Sequence, residues 1–152
     1  MPVSRMPAIV GRLVEEAREA TDVEQVFDGP HLGQLMSDVL VLGFTESADR
    51  PGYESRVTRQ EGAGRPRLIE AFVVRCLVST ASGDTDEAAV ANLRNRCGKV
   101  LADLDEHLRD LGPVTGLWSH VALTGDTEWI PLQDQDGAAM NVIFTIEGAA
   151  LL

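Results

Sequence analysis

Several residue types and patterns are scarce in this chain. Cysteine occurs twice, at Cys76 and Cys97, and Lys99 is the one lysine among the 13 basic residues. No apolar run approaches the roughly 18 to 20 residues that span a membrane, and the first residues show no charged stretch followed by an apolar core. These absences argue against a membrane-spanning helix and against a secretory signal. We therefore expect a protein that is made and used in the cytoplasm.

The charge balance is strongly acidic. The 152 residues include 24 acidic and 13 basic side chains, for a formal net charge of −11, and the acidic residues are spread along the chain. Such a surface repels phosphate backbones, so we do not expect the protein to wrap nucleic acid tightly. Solubility alone explains this charge. An acidic wall beside a DNA passage is the other interpretation, because repulsion would keep a moving polyanion from sticking.

A chain of this length is expected to form a single domain over residues 1–152. Hydrophobic residues make up 44% and charged residues 24%, as is usual in globular proteins, and a domain of this size hides roughly 68–70% of its unfolded surface. The core then needs neither a metal nor a disulfide. We expect Cys76 and Cys97 to act as small apolar groups, and a disulfide between them is left open.

The longest periodic stretch runs from Asp84 to Leu111. Asp84 and Thr85 are candidate N-caps, and Gly112 ends the helix. The apolar residues recur at steps of three and four and so share one helical face: Val90, Leu93, Cys97, Val100, Leu101, Leu104, Leu108 and Leu111. A second amphipathic helix is predicted from Ser4 to Thr21.

The other apolar segments predict strands, which the turn residues between them separate. They are Gln25–Phe27, Ser37–Thr45, Leu68–Ser79, Leu117–Gly125, Glu128–Leu132 and Met140–Glu147, with Gly125 and Asp126 as a turn between the fourth and fifth. Both faces of Leu68–Ser79 are largely apolar, so this strand should be central and covered on both sides. The order of elements predicts an α+β fold: a mixed, mainly antiparallel sheet with one long helix and one amino-terminal helix packed on it.

The segment from Glu46 to Arg67 has a different character. It has few large apolar side chains and exceeds the roughly 12 to 15 residues of most loops. We interpret it as an extended loop or hairpin arm in which Tyr53–Glu61 pairs with the following strand. Its arginines make it locally basic: Arg50, Arg56, Arg59, Arg65 and Arg67. A self-assembling subunit would use an arm of opposite charge to reach its neighbour, and a hairpin without a partner is the alternative.

The sequence contains no catalytic or metal-binding motif. His31, His107 and His120 have no partner at a metal-ligand spacing, the cysteines form no CxxC pair, and neither GxSxG nor HExxH occurs. Gly62 and Gly64 are followed by neither GK[ST] nor a predicted helix, so a phosphate-binding loop is unsupported. We predict no catalytic residue, no metal and no cofactor, and a protein that is not an enzyme.

Trp118 and Trp129 are predicted to lie on adjacent strands. Tryptophan anchors many protein interfaces, and it is also common where a sheet packs on a helix. Packing is the interpretation that we favour for both residues.

The carboxy-terminal third contains short motifs that point to one protein family. They are Trp118 with Val121 in one strand, Trp129–Pro131 in the next, and Asp136–Gly137 leading into Asn141–Ile146. Near the start, Val26–Pro30 follows the first helix as a short strand and turn. With the long helix between two sets of strands, most of the chain resembles the tail terminator proteins of long-tailed bacteriophages.

This resemblance implies a structural virion protein. The protein would be one subunit of a homohexameric ring that caps the tail tube at its head-proximal end, stops polymerisation of the tail tube protein and joins the head-tail connector protein. DNA would pass through the lumen without specific binding. The family has no catalytic residues to carry over. By the same analogy, Arg56, Arg59, Arg65 and Arg67 are candidate contacts between subunits or to the tube.

Two other functions stay open on the sequence. One is a head-to-tail connector or neck subunit, which is similar in size and also forms rings. The other is a small cytosolic enzyme or ligand-binding domain with a pocket between the long helix and the sheet. Binding to tube protein or to connector protein separates the first two. Ring formation without a bound small molecule separates both from the third.

Overall fold

Two helices and six strands make up the described part of the chain. The computed structural model describes residues 3–29, 38–62 and 64–152. In chain order the elements are α1 (Met6–Ala20), β1 (Gln25–Asp28), β2 (Val39–Leu42), β3 (Tyr53–Gln60), β4 (Arg67–Ser82), α2 (Glu87–Leu111), β5 (His120–Asp134) and β6 (Gly137–Leu151). The predicted α+β class is confirmed. Over the described residues, neither helix is long and apolar enough to cross a membrane.

All six strands belong to one sheet with β4 at its centre. β6 pairs with one edge of β4 from Ile69 to Ser82, while β3 and β2 share the other edge. β5 pairs with β6 on the far side, and β1 pairs with β2. Only the β1–β2 pair is parallel, so the prediction of a mixed, mainly antiparallel sheet is confirmed.

Both helices contribute to a single core on one face of the sheet. Alternate residues of β4 and β6 point toward them, as expected for strands with a period of two. The core includes Ile9 and Leu13 from α1, Leu93, Leu104 and Leu108 from α2, and Phe72, Val74, Val142 and Phe144 from the sheet. Full burial of each such side chain contributes about 1.5 to 3 kcal/mol, so this layer is the main source of stability.

The opposite face of the sheet is only partly covered, and we call it the open face. A smaller cluster lies there, made of Val39, Val41, Leu77 and Ile143 with Phe27 and Phe44 packed against it. Nearer the start of β4, Ala71 on the same face is exposed. The prediction that this strand is covered on both sides therefore holds around Leu77 and is wrong around Ala71.

The first turn of α2 differs from the prediction. The N-cap is Asp86, whose carboxylate Oδ1 accepts a hydrogen bond from the N–H of Ala89 at 2.8 Å. Asp84 and Thr85, the predicted caps, lie before the helix. The predicted end is confirmed, since Gly112 follows the last helical residue with φ of 65°, which favours glycine.

The carboxy-terminal sheet also differs from the prediction. Gly125 and Asp126 do not form a turn between two strands, because they lie in a bulge of one continuous strand, β5. Thr124 pairs with Thr145 and Glu128 with Ile143, so three residues of β5 oppose one of β6. The turn comes later, between Asp134 and Gly137, and β6 extends to Leu151.

The two tryptophans lie in different settings and not on adjacent strands. Trp118 precedes β5 and is 3% exposed, and its indole N–H donates to the carbonyl of Gly112 at 3.1 Å. Trp129 lies within β5 and is 40% exposed. Packing is thus confirmed for Trp118, whereas Trp129 shows a large apolar surface to solvent. His31 and the predicted turn residue Pro30 lie outside the described residues.

The position of the α2 cap gives a direct test. We expect Asp86→Ala to lower the free energy of unfolding by about 1 kcal/mol, because it removes the hydrogen bond to the N–H of Ala89. Asp84→Ala is the matched control and should change it by less than about 0.5 kcal/mol. Urea unfolding followed by circular dichroism measures both. A larger effect at Asp84 would place the cap there instead.

Candidate functional site

A basic hairpin contains all four candidate arginines. It comprises β3, the described part of the turn after it and the start of β4, that is residues 53–62 and 64–68, and β3 pairs with β4 from Tyr53↔Val74 to Gln60↔Arg67. All of β3 is exposed. Within the described residues β3 pairs only with β4, so β3 is an edge strand of the sheet. Because β6 pairs with β4 as far as Ile69, only the tip of the hairpin extends beyond the end of the sheet. The predicted pairing of this segment with the following strand is confirmed.

The four arginines surround the tip and do not form one patch. Arg56 is opposite Ala71 on the open face and Arg67 is opposite Gln60, whereas Arg59 is opposite Leu68 on the helix-bearing side. Arg65 lies in the turn. All four are exposed.

The ion pairing of these arginines is sparse. Arg59 Nε lies 3.7 Å from Glu61 Oε1, with both side chains largely exposed, so this pair contributes little stability. Within the described residues, no carboxylate forms an ion pair with Arg56, Arg65 or Arg67. Three cationic side chains are therefore available to a partner.

The base of the hairpin is held by backbone contacts at Arg75. The carbonyl of Arg75 accepts from the N–H of Gly43 at 2.8 Å and of Phe44 at 2.9 Å, and its own N–H donates to the carbonyl of Gly52 at 2.8 Å. Arg75 Nη1 also donates to the carbonyl of Pro51 at 2.6 Å. A Cβ at Gly52 would lie 2.2 Å from the carbonyl oxygen of Gly43, so only glycine fits there.

Tyr53, the only tyrosine, links the hairpin to β1 and β2. Its hydroxyl donates to Asp28 Oδ1 at 3.0 Å and lies 3.4 Å from the carbonyl oxygen of Leu42. Burial, followed by the neighbouring Asp28 carboxylate, raises the pKa of Tyr53 to about 12. The ring also lies against Gly43, where a Cβ would come within 2.2 Å of the hydroxyl oxygen. The hairpin is thereby held in one orientation relative to the body.

The first part of the predicted arm does not belong to this hairpin. Arg50 pairs with Glu46 at 2.9 Å and with Glu128 of β5 at 3.1 Å, so residues 46–51 lie over the open face. The arm predicted over residues 46–67 is therefore wrong at its beginning. It starts at Tyr53, and Arg50 is engaged with the body.

A buried carboxylate fastens the amino terminus and the hairpin to β4. Glu70 is fully buried, and its two oxygens accept from Ser4 Oγ at 2.5 Å and from the N–H of Arg5 at 2.7 Å. Burial raises the pKa of Glu70, but hydrogen bonds from Ser4, Arg5 and Ser55 outweigh it, so the pKa lies below its ordinary value. The role of Glu70 was not predicted, although a glutamate on the apolar face of a strand indicates a buried acid with partners.

A second buried carboxylate joins the two helices. Glu16 of α1 accepts from Arg12 Nε at 2.7 Å and lies 2.5 Å from Nε2 of His107 in α2. Glu16, Glu19 and His107 together offer ligand atoms within 4.8 Å of one another, a spacing that a metal ion could use. Both oxygens of Glu16 are already engaged and a guanidinium lies beside them, so the arrangement fits an ion pair better than a metal site.

A ligand-binding domain would need a pocket between α2 and the sheet. A cavity of about 270 Å³ lies there, between α2, β5 and β6. Two of its polar side chains bond within the chain, since Asp105 pairs with Arg109 and Thr145 Oγ1 donates to the carbonyl of Thr124 at 2.6 Å. A larger groove of about 530 Å³ crosses the open face between β3 and β5, with Arg56 in its wall.

Both cysteines are buried and free, so no disulfide joins them. Cys97 Sγ lies 3.4 Å from Thr80 Oγ1 in the core. Burial raises the pKa of both thiols, which keeps them protonated and unreactive. Their predicted behaviour as small apolar groups is confirmed.

Comparisons with known proteins leave the hairpin to be interpreted from its own geometry. No protein-family model matches the chain, and no curated protein matches it. The unpaired arginines and their fixed base at Gly52 and Tyr53 are the features that any function has to explain.

Tyr53 is predicted to ionise near pH 12 in the folded protein. Because the chain has one tyrosine, phenolate absorbance during an alkaline titration reports this group alone. Asp28→Asn should lower the midpoint toward 10, since it removes the neighbouring charge and leaves the burial. A raised pKa means that the contribution of Tyr53 to stability is present below pH 10 and is lost as pH rises through 12. A midpoint near 10 with unchanged circular dichroism would contradict the partial burial of the Tyr53 ring and its contact with Asp28.

Acid is predicted to weaken the fold through Glu16 and Glu70. Burial raises the pKa of Glu16, but the hydrogen bonds from His107 and Arg12 outweigh it, so both carboxyl pKa values lie below 4.5. Each group therefore contributes stability above pH 4.5 that is lost as pH falls through its folded pKa.

Urea unfolding at neutral pH and near pH 3 measures this loss. Glu16→Gln and Glu70→Gln should each lower the free energy of unfolding at neutral pH by about 1 to 3 kcal/mol and reduce its further loss in acid. Glu106→Gln, at an exposed position of α2, is the control and should behave like the wild type. Equal acid losses in all four proteins would show that neither buried carboxylate governs acid stability.

Proposed function

We propose that this chain is a tail terminator subunit of a long-tailed bacteriophage. Six copies form a ring at the head-proximal end of the tail, where the ring caps the tail tube and ends polymerisation of the tube protein. The other side of the ring meets the head-tail connector protein. The protein carries out no catalysis and uses no cofactor, and DNA passes through the ring without specific binding.

The observation that carries this proposal is the basic hairpin at the edge of an acidic body. Arg56, Arg65 and Arg67 are exposed and form no ion pair within the described residues. The strand pairing and the contacts of Gly52 and Tyr53 fix the hairpin before any partner arrives. A charged surface that is already ordered loses less conformational entropy on association, which favours binding to another protein.

The charge of the remaining chain supports a role beside DNA. Residues 53–68 contain four arginines and two glutamates, a charge of +2, so the rest of the chain has a charge of −13 when the total is −11. An acidic ring wall would repel a passing phosphate backbone instead of binding it. The same chain thus offers one basic surface for protein contacts and an acidic body for the passage.

The two alternatives predict different partners. A connector subunit would use the same basic hairpin but bind portal or connector protein in place of the tail tube. A ligand-binding domain would use the cavity beside α2, in which Asp105 and Thr145 already bond to Arg109 and Thr124. That internal bonding makes the cavity the weaker basis for a function.

Tail-tube capping tests the proposal directly. Purified protein is mixed with assembled tail tubes and the tube ends are imaged by negative stain, with light scattering to give the mass of the free protein. We expect a cap at one end of each tube, or a particle of about 98 kDa for six copies of the 16.4 kDa chain. A stable monomer that leaves tube ends bare would overturn it, and binding to connector protein alone would favour the neck subunit.

Removing the four hairpin arginines should abolish capping without unfolding the protein. The variant Arg56→Ala, Arg59→Ala, Arg65→Ala and Arg67→Ala should keep its free energy of unfolding within about 1 kcal/mol, because these side chains are exposed. We expect tube capping to fall at least tenfold. The control changes Arg94→Ala and Arg109→Ala on α2. Normal capping by the hairpin variant would remove the arginines from the mechanism.

A further inference from the structure

A second exposed hairpin has the opposite charge. It comprises the end of β5, the turn and the start of β6, residues 124–139, and we call it the acidic hairpin. It contains no lysine or arginine and four carboxylates: Asp126, Glu128, Asp134 and Asp136. Every residue of β5 from Thr124 onward is exposed. Among these four, Glu128 alone forms an ion pair with another described residue, Arg50, so much of this negative charge faces solvent.

The tips of the two hairpins lie at opposite ends of the sheet. The tip of the basic hairpin lies where β4 begins, at Arg67, and the tip of the acidic hairpin lies where β4 ends, with Ser82 opposite Ala138. The 16 residues of β4 extend over about 50 Å at ~3.3 Å per residue. This distance is several times the Debye length of about 8 Å at physiological salt. The charges at the two tips of one copy therefore cannot neutralise each other.

Each hairpin also exposes large apolar side chains. In the acidic hairpin, Trp129, Ile130 and Leu132 are 39–50% exposed, and in the basic hairpin Val57 and Leu68 are 42% and 38% exposed. The indole N–H of Trp129 donates to Thr127 Oγ1 at 2.9 Å, so its ring can be covered without leaving a buried donor unpaired. Each hairpin thus offers apolar as well as charged side chains to a partner, and protein interfaces combine both kinds.

The strand directions are compatible with contact between copies. Within the described residues, β3 pairs only with β4 and β5 only with β6, so both are edge strands. The order β3, β4, β6, β5 is antiparallel throughout, which makes β3 and β5 run in opposite directions. The β5 edge of one copy would thus meet the β3 edge of another in the antiparallel sense. Pro131 lacks an N–H for such a ladder, so side chains have the larger part in the contact.

We propose that the basic hairpin of one copy docks on the acidic hairpin of the next copy. The contact is heterologous, since basic-to-basic or acidic-to-acidic pairing would place like charges together, and it links copies head to tail with an offset along the strands. Only the closure of the linked copies into a ring rests on the proposed tail terminator function. The docking itself follows from charge, exposed apolar surface and strand direction.

A charge exchange between two variants tests this contact. The first variant carries Arg56→Glu, Arg65→Glu and Arg67→Glu in the basic hairpin. The second carries Asp126→Arg, Gln135→Arg and Asp136→Arg in the acidic hairpin. Every one of these side chains is exposed and without an ion-pair partner within the described residues. In each variant alone, both hairpins have the same sign. In an alternating mixture of the two, every contact again joins opposite signs.

Sedimentation velocity at low and physiological salt measures the outcome. We expect each variant alone to associate at least tenfold more weakly than the wild type, and the equimolar mixture to recover association to within about threefold. Arg94→Glu with Arg109→Glu on α2 is the control for bulk charge and should associate like the wild type. Circular dichroism verifies that every variant is folded. A mixture that stays monomeric, or a wild type that stays monomeric at about 1 mM and low salt, would overturn the docking.

The tube-capping assay separates this inference from the proposed function. Recovery in the mixture without capping by the wild type would keep the docking and overturn the tail terminator role. Capping by the wild type without recovery in the mixture would keep that role and overturn the docking, and the arginines would then contact the tube. Loss of association with the α2 control would show that net charge, and not the two hairpins, governs self-association.

Discussion

The architecture depends on one long strand whose edge is shared by two others. On this edge neither β2 nor β3 is long enough to pair with the whole of β4, so β2 pairs with residues in its second half and β3 with its first half. The change from one to the other occurs at Arg75, whose backbone bonds to both sides of the junction. Both halves of β4 contribute to the helix-bearing core, with Phe72 and Val74 in the first half and Val78 in the second. The core therefore holds the part of β4 with which β3 pairs.

The buried carboxylates extend this arrangement to the rest of the chain. Glu70 connects the residues before α1 to β4 and to Ser55 of β3, so the amino terminus and the hairpin depend on one group. Glu16 connects α1 to α2 through His107. Both oxygens of each carboxylate have partners within the chain. Arg56, Arg65 and Arg67 are the reverse case, because no carboxylate forms an ion pair with them within the described residues.

Periodicity in the sequence was enough to predict both helices and the central strand, and composition was enough to predict the basic segment except for its beginning. The sequence led to Asp84 and Thr85 as candidate caps and missed Asp86, because aspartate and threonine both cap helices and only the backbone position decides. Gly125 with Asp126 has the composition of a turn as well as of a bulge, and only the continued pairing of β5 with β6 distinguishes them. The contact between Glu16 and His107 joins positions 91 residues apart, which no local pattern encodes. Likewise, the sequence located the arginines but not the faces on which they lie.

The contact between Gly43 and Gly52 has an evolutionary consequence. It is a contact of backbone with backbone, so this part of the support of the hairpin does not depend on the side chains that β3 displays beyond Tyr53. Exposed positions such as Arg56 and Arg59 are then free to change, while the two glycines are not. A scaffold of this kind separates the orientation of a binding element from its specificity. New partners can be acquired by surface substitutions alone, and the fold is left unchanged.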